Sequence, residues 1–231
     1  ASDLVKRLIE QVSFEARASE FVDKKSGVSA RLTIAAYENA MSAAERRSII
    51  NREKETQVWI SDLVGIIPSI TGKIELVYEG EQEGPYQVAY NLMEKAIRTQ
   101  FAAYFPNPET YKKKKTREPG GQNENPYRGV TKWFDAGNHL DLLLETKDVD
   151  KMQLLYKVDG LHDLVKKFYP LANAKENALL MEFVLHGLSS YSLISKKIIE
   201  GKIVFKDLMG SMINLGAQTF SEEDLESDDF A

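Results

Sequence analysis

The chain has 231 residues, 43% of them hydrophobic, a formal net charge of -5 and no cysteine. It is long enough to bury a core as one domain or two small ones. The missing cysteines exclude a disulfide framework and thiolate metal sites, and they fit a protein that matures in a reducing compartment, so the cytoplasm is the expected location. No window approaches the ~18 uninterrupted apolar residues a membrane span needs, and the first residues are charged and polar where a signal peptide would be apolar.

The acidic balance is local. Residues 221–229 hold six of the 35 acidic side chains, and the rest of the chain sets 30 basic against 29 acidic residues. A near-neutral body offers no broad footprint for nucleic acid, and residues 221–231 read as a solvated, disordered acidic tail.

Taken in order, Val5, Leu8, Ile9, Val12 and Ala16 repeat with the period of a helix over residues 2–23, which Ser2 can cap. A second helix follows the break at residues 23–27, marked by Leu32, Ala35, Ala36, Ala40, Ala43 and Ala44, whose small side chains imply close packing. Ser29 reads as its cap. Ser61 opens a short third helix limited by Pro68, and residues 73–79 alternate like a strand. An amphipathic helix is expected over 86–105, carried by Ala89, Leu92, Met93, Ala96, Ile97, Phe101 and Tyr104 and stopped by Pro106 and Pro108. Residues 107–126 contain almost nothing apolar and read as a mobile loop. Trp133 and Phe134 then anchor a second core, residues 139–145 alternate weakly like a strand, and helices are expected over 149–158, 161–169 and 175–199. Gly187 interrupts the last of these, at a cost of about 1 kcal/mol unless packing compensates. Residues 203–205 suggest a short strand, with a final helical turn near 208–213.

Little of this carries recognisable chemistry. The stretch from Gly65 to Ile74 is the nearest approach to a phosphate loop, but six residues separate Gly65 from Gly72 where the motif has four, and Ile74 replaces the hydroxyl that reaches magnesium. Glu182 and His186 stand four apart on one expected helix. They could share a metal, but no third ligand stands at a telling distance, and a surface or half-buried pair is the plainer reading. Ser189, Ser190 and Ser192 lack a nucleophile-elbow context, and Asp135 and Asp141 are unspecific. Residues 112–117 read as a solvated basic run rather than a nucleic-acid contact. Arg31 is less ordinary. A cation in the first turn of a helix opposes the helix dipole by roughly 0.3–1 kcal/mol, whereas an anion there would be held by both. An exposed side chain reaching solvent or Asp23 is the plainer reading, and a phosphate contact the alternative.

The stretch FVDKKSGVSARLTI, from Phe21 to Ile34, resembles the lid subdomain of AAA+ ATPases related to the I subunit of magnesium chelatase. TGKIEL from Thr71, WFDAG from Trp133 and EFVLHGL from Glu182 are similar to later segments of a chelatase-like branch. The resemblance touches most of the chain in short patches. It implies a mainly α fold, with a lid-like helical subdomain over residues 1–83 and a helical accessory domain with minor strands over 84–231. It further implies that this is the C-terminal half of an ATPase whose core, with its Walker motifs and arginine finger, lies upstream. Arg31 would match the second sensor, touching the γ-phosphate. ATP and Mg²⁺ would be cofactors of the intact protein, with none held by this half alone, and the partners would be its own core, neighbouring ring subunits and a client protein. Residues after Gly84 do not resemble the tail of true chlorophyll-pathway subunits, so remodelling of a partner protein is as consistent as metal insertion. The alternative is a free-standing helical interaction module without nucleotide.

Overall fold

The computed structural model describes residues 1–112 and 125–208, and over these the chain is mainly helical with one small antiparallel sheet. The helices are α1 (Asp3–Ala18), α2 (Arg31–Asn51), α3 (Ile67–Thr71), α4 (Tyr78–Glu83), α5 (Pro85–Tyr104), α6 (Glu109–Lys112), α7 (Arg128–Asp135), α8 (Asp148–Tyr156), α9 (Leu161–Phe168) and α10 (Ala174–Ser190). The strands β1 (Leu140–Leu143), β2 (Ser195–Ile199) and β3 (Lys202–Lys206) pair in the order β1-β3-β2. No helix among the described residues is long and apolar enough to cross a membrane.

The expected periodicities account for most of these elements. Ser2 caps α1 by accepting from the Val5 N–H, and the apolar stripe through Leu8, Val12 and Ala16 is buried, packed along α5. Along α2 the buried face runs Leu32, Ala36, Ala40, Ala44 and then Arg47, so the alanine stripe ends on a buried guanidinium. α10 is buried on every side from Asn177 to Leu188, which makes it the central helix, packed against α5, α9 and α8. Its start is a capping box between Asn173 and Glu176. One apolar core runs through the segments on both sides of residue 84.

Four local expectations are corrected. Residues 73–79 do not form a strand: a single bridge joins Leu76 to Val22, and α4 begins at Tyr78. Gly80 in α4 lies so near the chain at Phe21 that a Cβ would stand 2.5 Å from its carbonyl oxygen, so the turn into α4 that ends the pairing needs glycine there. The long C-terminal helix stops at Ser190, not 199. Ser190 turns its hydroxyl back onto the Gly187 carbonyl, Ser192 takes a left-handed conformation with φ 53°, and residues 195–199 become an edge strand. Pro68 stands in the first turn of α3, just after Ile67, rather than closing the 3-10 segment Ser61–Ile66, as suits a residue with no N–H to offer. Ala30, not Ser29, holds the cap position of α2; Ser29 Oγ accepts from the Arg31 N–H at 3.2 Å. The final turn near 208–213, most of the loop 107–126 and the acidic tail lie outside the described residues beyond Leu208 and between 113 and 124.

Candidate functional site

Arg31 is the first residue of α2, and its side chain is exposed. The first turn of α2 contains no acidic residue, and Arg31 has no ion pair among the described residues. Asp23, its alternative partner, is turned elsewhere: it accepts from the Lys25 N–H at 2.8 Å and from the Ser26 hydroxyl at 3.1 Å. Those bonds hold the Asp23 carboxyl below the usual range, the Lys25 N–H contributing most. A second cation, Arg17 at the end of α1, reaches the Val28 carbonyl at 3.4 Å, three residues before Arg31 in the chain.

The other end of α2 is a buried ionic cluster that sequence reasoning missed. Arg47 is 2% exposed and sits in a ring of acceptors. Its Nε and Nη2 donate to the two oxygens of Asp62 at 3.2 and 3.0 Å, its Nη2 also to the Gln57 carbonyl at 2.8 Å, and its Nη1 to Asp148. Asp148 accepts as well from the Trp59 indole at 2.7 Å. Asp62 accepts from the Trp59 backbone N–H at 2.8 Å, closing the turn before the 3-10 segment. Burial opposes the charge on Arg47, but Asp62 and Asp148 together outweigh it and hold the guanidinium above its ordinary value.

From Asp148 the cluster continues through α8 into α10. Lys151 is fully buried; its Nζ donates to Ser61 Oγ at 2.6 Å, lies 3.8 Å from Glu182 Oε1 and stands over the Trp59 ring. Glu182 also accepts from the backbone N–H groups of Ile60 at 2.7 Å and Ser61 at 3.3 Å. Burial lowers the Lys151 ammonium below its ordinary value, with Glu182 opposing it. One turn along α10, His186 Nδ1 lies 3.2 Å from Lys196 Nζ, which in turn donates to Glu94 of α5 at 2.5 Å. His186 Nε2 is buried with no hydrogen-bond partner among the described residues. Burial, reinforced by the Lys196 and Lys151 charges, holds this imidazole well below its ordinary value.

Glu182 and His186 are therefore not a surface or half-buried pair. Each belongs to its own buried charge cluster, and no group of three His, Cys, Asp or Glu able to hold a metal ion occurs among the described residues. The seam runs from α2 through α8 and α10 to α5 and β2. Charged groups desolvated to this degree need partners with good geometry, and removing one partner of such a pair costs about 3–5 kcal/mol. The cluster was partly legible. Asp148, Lys151, Leu155 and Val158 share one helical spacing, so two charges stood at core positions of an otherwise apolar face.

Of the other candidates, Asp141 is paired with Lys202 at 2.6 Å and Asp135 is exposed. Ser190 donates to the Gly187 carbonyl at 2.8 Å in the last turn of α10, whereas Ser192 is exposed beyond the helix rather than packed. Comparison with known protein families, with curated proteins and with solved structures gives no match.

Proposed function

We propose that the chain is the nucleotide-sensing lid and partner-coupling portion of a magnesium chelatase-like AAA+ ATPase that works in a ring, in the cytoplasm, to remodel a client protein or assist metal chelation. One observation carries the reading: Arg31 opens a 21-residue helix, exposed and without an ion pair or a first-turn acid among the described residues. A cation so placed is unfavourable on its own account and becomes favourable when an anion is presented to it. In this reading the anion is the γ-phosphate of ATP bound to a core upstream of Ala1.

The described residues fit one part of such a nucleotide site. Arg31 can donate charge-assisted hydrogen bonds to a phosphate oxygen, while Mg²⁺ and the attacking water would be held by the core, since no metal-ligating group of three occurs here. When bound, ATP supplies the phosphoryl chemistry; Arg31 supplies a contact that depends on whether the γ-phosphate is present.

The test is Arg31→Ala in the intact protein, whose residues before Ala1 are expected to include a GxxxxGK[ST] loop. A charge-assisted contact is worth about 1.5–3 kcal/mol, so ATP turnover is expected to fall at least tenfold, while stability of the chain itself stays within about 0.5 kcal/mol. Unchanged turnover, or no phosphate loop upstream, would leave the helical interaction module as the better reading.

A further inference from the structure

The two ends of α2 differ sharply. Arg31 is exposed, whereas the last turns are gripped by groups that lie about a hundred residues further along the chain. Arg46 pairs with Glu145 at 2.7 Å, Asn51 donates to the Glu145 carbonyl at 2.7 Å, and Arg47 holds Asp148. Glu53, just past the helix, accepts the Asp148 N–H at 2.9 Å, so a residue following α2 caps the start of α8. Between the ends there is no glycine or proline, the usual cause of a kink. From Arg31 to Arg47 the helix is about 24 Å long at its standard rise.

The buried face of α2 between those ends is alanine at 36, 40 and 44. Short side chains permit close approach but interlock little, so shape alone does not stop α2 from sliding. Polar contacts fix its position: Thr33 meets Ser13 of α1 at 2.6 Å and Asn39 donates to Ser69 of α3 at 2.6 Å. The buried, charged contacts are at the far end, where Arg47 is forked onto Asp62 of the 3-10 segment and joined to Asp148 of α8, and Lys151 then ties α8 to Ser61 of the 3-10 segment and to Glu182 of α10. A buried guanidinium cannot leave one carboxylate without stranding both charges in a low-dielectric interior.

We propose that α2 is a rigid coupling rod: the Arg47–Asp62–Asp148 cluster makes α8 and α10 follow any displacement of the end that bears Arg31. What displaces that end rests on the nucleotide reading above; the coupling is a property of this chain alone. Native-state hydrogen exchange on the whole chain tests it. Amides in residues 47–51 and in α8 are expected to open as one unit, with the same urea dependence, and to separate in Asp148→Asn, with α8 exchanging at least tenfold faster than residues 47–51. Arg47→Lys, which keeps the charge but loses the fork onto Asp62 and the simultaneous reach to Asp148, is the milder variant if Asp148→Asn does not fold, and a separation in the same direction is expected. Separate opening in the unaltered chain, or joint opening retained in the foldable variant, overturns the coupling.

In the intact ATPase, added nucleotide should protect both the first turn of α2 and α8, and in the variant only the first turn of α2. Protection of α8 that survives in the variant overturns the rod. A first turn of α2 that ignores nucleotide in the unaltered protein refutes the sensor reading instead, and the exchange pattern of the chain alone still decides the coupling.

Discussion

Replacing Gly187 by alanine sets two physical effects against each other, and the geometry decides between them. In an exposed helix interior the change is worth about 1 kcal/mol of added stability. Here a Cβ on Gly187 would lie 2.1 Å from Cδ2 and 2.4 Å from Cε2 of Phe101, more than 1 Å inside ordinary van der Waals contact. The ring has little room to yield, since it is 5.3 Å from Phe105, 5.6 Å from Phe183 and 5.9 Å from Tyr191, centroid to centroid. Overpacking of a tight core costs about 1–3 kcal/mol and occasionally more. With the overlap this large, a cost at the upper end, less the propensity gain, leaves a net loss of about 2 kcal/mol. In a chain of this size that lowers the melting temperature by roughly 4–8 °C. Urea unfolding of Gly187→Ala, Phe101→Leu and the double variant measures both the loss and its origin. The double variant should recover at least about 1 kcal/mol relative to the sum of the singles. A neutral or stabilised Gly187→Ala would refute the claim that α10 needs glycine for the approach of α5.

Three further outcomes are expected. Because His186 is held neutral in the fold, the unfolded chain binds the extra proton below the ordinary imidazole value of 6.5; stability is then complete above that pH and falls as pH drops, by up to about 1.4 kcal/mol per unit. The difference in urea midpoint between the unaltered chain and His186→Gln, followed from pH 7 to 5, should show this slope, and parallel profiles would contradict it. Arg47→Met strands Asp62 and Asp148 and should cost about 3–5 kcal/mol by denaturant unfolding, with Arg47→Lys rescuing only part, since an ammonium cannot reproduce the fork onto Asp62; a loss below about 1 kcal/mol would mean the cluster is relaxed by water. Arg31→Ala should leave the melt of the chain in place, and a collapse of that melt would make Arg31 a structural residue.

Much of the helical framework was legible because it is written in local periodicity. The stripe Leu8, Val12, Ala16 and the run Ala89 to Tyr104 each needed only a 3.6-residue repeat, and the capping of α1 by Ser2 needed only one hydroxyl before an apolar run. The strand expected at residues 203–205 was legible as a short apolar run, all three of its residues being buried. The errors arose where a remote contact decided the outcome. Residues 73–79 alternate, but α4 begins at Tyr78 and packs Gly80 against Phe21, so only a single bridge forms. Residues 191–199 continue a helical pattern, but pairing with β3 draws 195–199 into the sheet.

Arg31 could be singled out from sequence because its oddity is local, a cation opposite a helix dipole. Arg47 could not, although it lies on the same stripe as Leu32, Ala36, Ala40 and Ala44, because its meaning depends on Asp148, which lies 101 residues away. Glu182 and His186 look like a pair four residues apart, yet one faces Lys151 and the other Lys196. By itself the sequence determined the longer helices α1, α2 and α5, their apolar faces and the odd placement of Arg31, since propensity, period and capping act within a few residues. Only the tertiary structure decided which charges are buried together, because the energy of a desolvated charge depends on what the fold brings within about 4 Å of it, and no local pattern records that distance.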